Sequence, residues 1–317
     1  MVRVYAGEWA PEYGSPQKDE PEELPGQASV WEHPQLRRVP CPPASERVAL
    51  AFVDGVRHVE AQLFFSDGAA APVPGAAGVY AVGAAAPEEG GRLGFRRLEV
   101  RRLAIFGGGR HAVLPEQPGG WRWECASVDS DSPEAPLEEL QRRMREREMA
   151  CAEELAADCT VCLDGPLHRV RGLSLPVVGY IKTHHRRLLP EEDHARVGQL
   201  GARERTSLFS ISQRYSCYFR MAPPRPDRHP WYAVVRLEIA EELGREGALR
   251  LLDRVCGELP RYAGVPHVDP RAPQNLQPVG ALEKELRRRC GDRALGRRAA
   301  QRAAEQFCRT QEVEHVG

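Results

Sequence analysis

One long helical segment lies between two sets of strand-like runs, and this order constrains the fold most. Residues 137–158 contain neither Gly nor Pro, and Pro136 suits the first turn of a helix there. Runs rich in β-branched and aromatic residues predict strands at 47–53, 56–65, 159–163, 175–183, 214–221 and 231–240, and a further pair of strands near 92–106. Further helices are predicted near 190–205, at 241–257 and from about 281 onward. Because an antiparallel meander comes first and helices then alternate with strands, we predict an α/β domain on a mixed sheet.

The composition is that of an ordinary globular chain. The 317 residues carry a net charge of −1, so any binding of nucleic acid must come from local basic patches. Residues 1–45 are rich in Pro and Glu and predict an N-terminal extension before one domain at 46–317. The stretch 68–87 is rich in Ala, Gly and Pro and predicts a loop. Its Pro and Gly residues also exclude a single membrane-spanning helix there. The nine Cys residues lack the regular spacing of a disulfide framework, which favours a reducing compartment. The N-terminus has no apolar signal segment, so we predict a cytoplasmic protein.

Two Asp-Gly dipeptides follow short apolar runs. In "AFVDGV", Asp54-Gly55 separates two strand-like runs, which predicts a hairpin because Gly tolerates the positive φ of a type I′ turn. In "VCLDGPL", Pro166 follows the dipeptide that begins at Asp164, and Pro offers no N–H to a returning strand. The alternative is that two strands carry Asp54 and Asp164 to one place.

The apolar stripe of the long helix contains one carboxylate. The stripe consists of Leu137, Leu140, Met144, Cys151 and Leu155. At about 100° per residue, Glu148 lies near the middle of this stripe, whereas Glu146 and Glu153 lie on the opposite side. A buried, unpaired carboxylate costs several kcal/mol, so Glu148 is expected to have a partner. That partner is either an Arg in a structural ion pair or a site shared with the next strand, which ends at Asp164.

In the second alternative, the acids Asp54, Glu148 and Asp164 converge. Such oxygen-rich clusters bind Mg²⁺ or Mn²⁺, which promote phosphodiester hydrolysis. Other chemistries lack their motifs: Cys159-x-x-Cys162 has no second pair for zinc, and "GGGRH" lacks the Lys-Ser/Thr of a phosphate-binding loop. No G-x-S-x-G indicates a serine hydrolase. A metal-dependent phosphodiesterase is therefore the predicted chemistry.

Lysine is rare in this chain, which draws attention to Lys182. Only three of the 44 basic residues are Lys, so a Lys within a predicted strand indicates a position where a compact ammonium matters. We predict that Lys182 neutralises charge on the scissile phosphate. His184 and Arg186 follow it and are predicted to meet phosphates as well.

An ordered set of segments resembles the NurA nucleases over about residues 46–290. The set comprises "AFVDGV", the helix with Glu148, "VCLDGPL", "PVVGYIKTH", "YFRM" with "PWYAVVRLEI", and "RYAGVPHVDPRAPQNL". The resemblance implies an RNase H-like mixed sheet flanked by helices, with Arg-rich C-terminal helices. It also implies a Mn²⁺-dependent DNA nuclease, with Mg²⁺ as the second candidate ion, that has single-strand endonuclease and 5′→3′ exonuclease activity. The implied partners are a second copy of the chain and a HerA-type hexameric ATPase, in DNA end resection and double-strand break repair.

The resemblance also implies roles for particular residues. It maps the metal-binding acids onto Asp54, Glu148 and Asp164, which would place both Asp residues at neighbouring strand positions in one sheet. It maps a late Tyr and His onto Tyr262 and His267, and the His would orient water or protonate the leaving group. The chain departs from the usual Asp-Gly-Ser of the family, because Val and Pro follow the two glycines.

DNA contacts are predicted at six positions: Lys182, His184, Arg186, Arg220, Arg236 and Tyr262. The competing hypothesis is a non-catalytic, DNA-binding adaptor of a motor ATPase. In that case the function would reside in the Arg patches at 142–147, 287–289 and 297–298. A test of metal dependence separates the two hypotheses.

Overall fold

The computed structural model describes residues 3–6, 28–44, 46–68, 71–168, 172–184, 187–269 and 271–316. Much of the predicted N-terminal extension lies outside these ranges. The strands are β1 (Arg3–Ala6), β2 (Ser29–Val30), β3 (Arg38–Pro40), β4 (Leu50–Ser66), β5 (Val73–Pro87), β6 (Leu93–Phe106), β7 (Glu124–Ser127), β8 (Thr160–Asp164), β9 (Val177–Ile181), β10 (Glu204–Thr206), β11 (Phe209–Ile211), β12 (Arg214–Arg220) and β13 (Val234–Ala240). The helices are α1 (Ala135–Leu155), α2 (Glu191–Val197), α3 (Arg245–Glu258), α4 (Gln277–Cys290) and α5 (Arg293–Val316).

The thirteen strands of the described ranges belong to one mixed sheet. Its main path runs β2-β11-β12-β13-β9-β8-β4-β5-β6-β7. Strands β4, β5 and β6 form an antiparallel meander, whereas β8 lies parallel to both β4 and β9. The meander is not made of the predicted strands, because the runs at 47–53 and 56–65 form one strand, β4, and the pair predicted near 92–106 is the single strand β6. Strands β12 and β13 continue the sheet in antiparallel fashion. The predicted α/β class, a mixed sheet flanked by helices, is confirmed.

Helices cover both faces of the sheet. On one face, Leu140 and Met144 of α1 pack in a core cluster with Val53 of β4. On the other face, α3 and α4 cover the centre of the sheet, where Phe52 of β4 packs in a cluster with Val279 of α4. Helix α5 packs farther along β4 on that side. No helix in the described ranges is both long and apolar enough to cross a membrane.

The stretch predicted as an Ala/Gly/Pro loop is largely a strand, β5, at the centre of the meander. This prediction was wrong because the small residues serve close packing and not a turn. A Cβ on Gly78 would overlap Leu140 of α1, and one on Gly83 would overlap the side chain of Leu98 of β6. The absent side chains therefore let α1 approach the sheet and let a side chain of the neighbouring strand pack over β5, so tertiary packing overrides the low strand propensity of Ala and Gly.

The hairpin predicted at Asp54-Gly55 is also wrong, because β4 runs unbroken from Leu50 to Ser66 through this dipeptide. The glycine provides space. A Cβ on Gly55 would overlap the carboxylate oxygen Oε1 of Glu148 and would lie 3.0 Å from Met144 Cγ, so its absence lets α1 pack directly on the strand.

Candidate metal centre

Three parallel strands bring the first site residues to one level of the sheet. Val53 of β4 pairs with Leu163 of β8, so Asp54 and Asp164 are the next residues on two adjacent parallel strands. Asp164 in turn pairs with Tyr180 of β9. The prediction that the two Asp residues occupy neighbouring strand positions is therefore confirmed. The carboxyl ends of parallel strands are where open α/β sheets usually bind ligands.

Strand alternation fixes the face on which Asp54 lies. Its neighbours two positions away, Phe52 and Val56, belong to core clusters with Val279 and Leu282 of α4, respectively. Since side chains alternate along a strand, Asp54 points to the same face, toward α4. The side chain is buried, with 6% of its surface exposed.

Asp54, Asp164 and Glu283 of α4 form a carboxylate group in which one oxygen of each lies within 4.8 Å of the others. Two carboxylate oxygens, Asp54 Oδ2 and Asp164 Oδ1, are buried and have no hydrogen-bond partner among the described residues. Buried carboxylate oxygens are normally satisfied, because an unsatisfied one costs free energy. A hard divalent cation prefers an all-oxygen set of this kind, so these three residues could hold a metal ion.

The charges of this group act strongly on Asp54. Burial raises the pKa of Asp54 well above its usual range, and the nearby negative charges of Asp164, Glu148 and Glu283 raise it further, although Lys182 opposes them. The folded protein therefore holds this proton more tightly than the unfolded chain does. It follows that the metal-free protein loses stability as the pH rises from the ordinary carboxyl pKa to the raised pKa of Asp54.

Lys182 lies directly after β9 and contacts the acid group. Its Nζ donates a 2.5 Å hydrogen bond to Asp164 Oδ2 and a 3.3 Å hydrogen bond to Asn275 Oδ1. Burial lowers the pKa of Lys182, but the charge of Asp164 and its hydrogen bond outweigh this and raise the pKa above its usual value. The ammonium therefore keeps its charge beside the carboxylates, which agrees with the predicted position of Lys182 at the site.

The chain between α3 and α4 closes over the ends of these strands. The Tyr180 hydroxyl donates a 2.6 Å hydrogen bond to the carbonyl of Gln274, and the next residue, Asn275, accepts from Lys182. The Asn275 amide also donates to the carboxylate of Asp269. Asn275 is 3% exposed, so this polar network is buried at the acid group. The sequence analysis did not identify Asn275, because nothing local links it to Lys182.

Glu283 was also missed, although a signal for it was present. Val279, Leu282, Leu286 and Cys290 form the buried face of α4. Glu283 is four residues after Val279 and three before Leu286, so it lies on the same face of the helix. This is the criterion that singled out Glu148 on the first helix, and the run of arginines after Glu283 obscured it.

Glu148 faces inward as predicted, with 6% of its surface exposed. However, it is not a member of the three-carboxylate group of the described residues. Its carboxylate lies where a side chain of residue 55 would be, beside Gly55. Because side chains alternate along a strand, this position is on the face opposite that of Asp54. The structure therefore places Glu283 where we expected Glu148, and Glu148 acts on Asp54 through its charge from the α1 side.

The two residues taken from the late part of the chain, Tyr262 and His267, lie near the sheet but outside the acid group. The ring of Tyr262 packs edge-on against Phe52 at 4.8 Å between centroids. His267 is exposed on the connection between α3 and α4, and it is not a member of the acid group.

His184 belongs to an aromatic cluster. Its Nε2 lies 3.2 Å from the carbonyl oxygen of Val234, and its ring lies 5.0 Å from that of Trp231 and 5.5 Å from that of Tyr218. Arg186, the other residue predicted to meet phosphate after Lys182, lies outside the described residues.

Arg220 and Arg236 are buried inside the fold, so their predicted DNA contacts need correction. Arg220 is fully buried and donates to the backbone carbonyls of Gly198, Pro230 and Tyr232. Arg236 is 2% exposed and forms a 2.9 Å ion pair with Glu238. Both guanidinium groups organise the interior around β12 and β13, where a phosphate cannot reach them.

Within the described residues, the acid group is the one cluster of His, Cys, Asp and Glu with spacing suited to a metal. Cys159 and Cys162 are free and outside it. No protein-family model matches the chain, and no curated protein sequence is similar to it. The assignment of a function therefore depends on the acid group and its surroundings.

Proposed function

We propose that this chain is a divalent-metal-dependent deoxyribonuclease whose ion is held by Asp54, Asp164 and Glu283. The observation that carries the proposal is the pair of buried, unpartnered carboxylate oxygens, Asp54 Oδ2 and Asp164 Oδ1, within an all-oxygen group beside an ammonium. A structural ion pair would satisfy these oxygens, whereas a metal-binding site leaves them available.

Each residue of the site has its own proposed role in DNA cleavage. A bound divalent ion supplies the Lewis acidity that phosphodiester hydrolysis requires. Lys182 places a compact positive charge at the same position and would neutralise the scissile phosphate. Asn275 is a second hydrogen-bond partner of Lys182 beside Asp164, so the ammonium is held in place before the substrate arrives. Glu148 is a neighbouring charge and not a ligand in this arrangement.

The proposal extends to the NurA-type activity that the sequence resembles. An RNase H-like core is consistent with the parallel strands β4, β8 and β9 next to an antiparallel meander, with helices on both faces. We include Mn²⁺ as the preferred ion, single-strand endonuclease and 5′→3′ exonuclease activity, a homodimer, and a HerA-type ATPase partner in end resection. DNA is the proposed polymer because α4 and α5 carry exposed arginines on a chain without net basic charge.

The adaptor hypothesis fits the site less well. An adaptor that binds DNA through Arg patches has no need for buried, unsatisfied acids. Of those patches, Arg142 and Arg143 both pair with Glu139 of the same helix, which is typical of a solvated helix surface.

Cleavage of a single-stranded oligonucleotide tests the proposal. We expect products with Mn²⁺ or Mg²⁺ and none with EDTA. Asp54→Asn should reduce the rate by at least about a hundredfold, because the amide loses the charge that a hard cation requires. Asp227→Asn is the matched control, since Asp227 is exposed and pairs only with arginines of its own loop among the described residues. Cleavage that survives EDTA, or equal rates for the two variants, would refute the proposed function.

A further inference from the structure

The last turn of α4 carries three consecutive arginines that differ in their partners. Arg288 and Arg289 both bind Glu285, each with a nitrogen 2.8 Å from its Oε1. Their hydrogen bonds lower the pKa of Glu285 to about 2, so this carboxylate remains available to pair with both. Arg287 points elsewhere: its Nη2 lies 3.5 Å from Oε2 of Glu283, a member of the acid group.

A metal ion and Arg287 therefore compete for one carboxylate. An ion held by Glu283 would weaken the attraction between Glu283 and Arg287, because the negative charge would be neutralised at close range. The pairs of Arg288 and Arg289 with Glu285 would be unaffected. Among the three arginines of this turn, Arg287 is therefore the one whose availability for another ligand depends on the metal.

Binding of the ion makes the charge of the site more positive. The three carboxylates lie beside two cations, since Lys182 pairs with Asp164 and Arg287 pairs with Glu283. A divalent cation adds positive charge to this group. A phosphate is therefore attracted more strongly when the ion is bound than when it is absent.

The two cations lie at different depths. The Lys182 side chain is 22% exposed and touches the acids from inside, whereas the Arg287 side chain is 61% exposed at the rim. Packing of α4 on β4 shows where Arg287 lies along the strand. Leu286, the residue before Arg287, packs in a core cluster with Val56, two residues after Asp54 on β4, so Arg287 lies beyond the acid group along that strand.

We propose that Arg287 is a substrate-binding residue that contacts a backbone phosphate of DNA next to the scissile one, and that occupation of the acid group by a divalent ion releases it for this contact. The inference rests on the proposed function, since it takes the same ion and the same polymer. It adds an order of events: the ion binds first, and DNA affinity follows from it. A bidentate guanidinium suits a phosphate that must be held but not cleaved.

Fluorescence anisotropy of a labelled single-stranded oligonucleotide tests this on the full chain, in EDTA and in Ca²⁺, under conditions where gels show the DNA intact. Ca²⁺ is the probe because it is a hard divalent cation that binds carboxylates. We expect Ca²⁺ to tighten binding by roughly tenfold or more for the wild type and for Arg288→Ala. Arg287→Ala should lose most of that gain, and its salt dependence should fall by about one phosphate contact relative to the wild type.

Cleavage kinetics with Mn²⁺ separate this inference from the proposed function. Arg287→Ala should raise KM and change kcat little, and Arg287→Lys should restore part of the affinity. If the wild type cuts DNA but Arg287→Ala matches Arg288→Ala in KM, in salt dependence and in its response to Ca²⁺, the role of Arg287 is refuted and the nuclease stands. If the wild type does not cut DNA with any divalent ion, both are refuted.

Discussion

Glu283→Gln should lower the rate of metal-dependent DNA cleavage by at least about a hundredfold, whereas Glu285→Gln should leave it nearly unchanged. The two positions lie on the same helix, two residues apart. Glu283 belongs to the acid group, and Glu285 binds Arg288 and Arg289 at the surface. Glutamine keeps the shape of the side chain but removes its charge, so a difference between the variants reports the need for a carboxylate at Glu283.

Thermal melting of both variants in EDTA provides the control for folding. Both should melt close to the wild type, because ion pairs on a solvated helix surface contribute little to stability. A folded Glu283→Gln protein that cuts at the wild-type rate would show that Glu283 serves only as the partner of Arg287. The third ligand would then have to be sought on α1, at Glu148.

Gly264→Ala should impair both stability and cleavage, because it disturbs the segment that carries Asn275. A Cβ on Gly264 would overlap the backbone oxygen of Asn275 and would lie 3.2 Å from the Cβ of Ala272. The backbone of Asn275 would have to move away, and Lys182 would lose a partner. We expect a loss of about 1–3 kcal/mol in the free energy of unfolding. Cleavage should fall by roughly tenfold to a hundredfold, since small displacements at a catalytic site are costly.

Gly280→Ala is the matched control, in α4 on the other side of Asn275. There a Cβ would lie 3.6 Å from the Asn275 side chain, an ordinary contact, and alanine favours a helix over glycine by about 0.4–1 kcal/mol. This variant should melt at or above the wild-type temperature and remain active. Wild-type melting and activity in Gly264→Ala would mean that the connection between α3 and α4 does not hold Lys182 in place.

Local sequence patterns located the helices and most of the longer strands, but they missed the short strands β7, β10 and β11 and also β5, where small residues serve packing. The first helix, predicted from a long run without Gly or Pro, forms as α1 with Glu148 turned inward. Strand β5 and the straight course of β4 through Gly55 were not predicted, because Ala and Gly there make room for helices from distant parts of the chain. Such a reason cannot be seen in any short window of sequence.

The site was predictable only in part, because some of its residues come from distant parts of the chain. Asp54 and Asp164 follow apolar runs that form adjacent parallel strands, so strand order alone brings them together. Glu283 and Asn275 reach the same place from more than a hundred residues later in the chain. Arg220 and Arg236 were predicted as DNA contacts, but their charges are satisfied inside the fold by backbone carbonyls and by Glu238.

Calorimetric titration of the metal-free protein with Mn²⁺ over a series of pH values tests the central claim most directly. Because burial and the neighbouring carboxylates raise the pKa of Asp54, the ion and a proton compete for this carboxylate. We expect Mn²⁺ to bind more tightly as the pH rises through the raised pKa of Asp54, with release of a proton, and we expect a loss of most of the affinity in Asp54→Asn. Equal Mn²⁺ affinity in the wild type and in Asp54→Asn would contradict the assignment of a metal to this acid group.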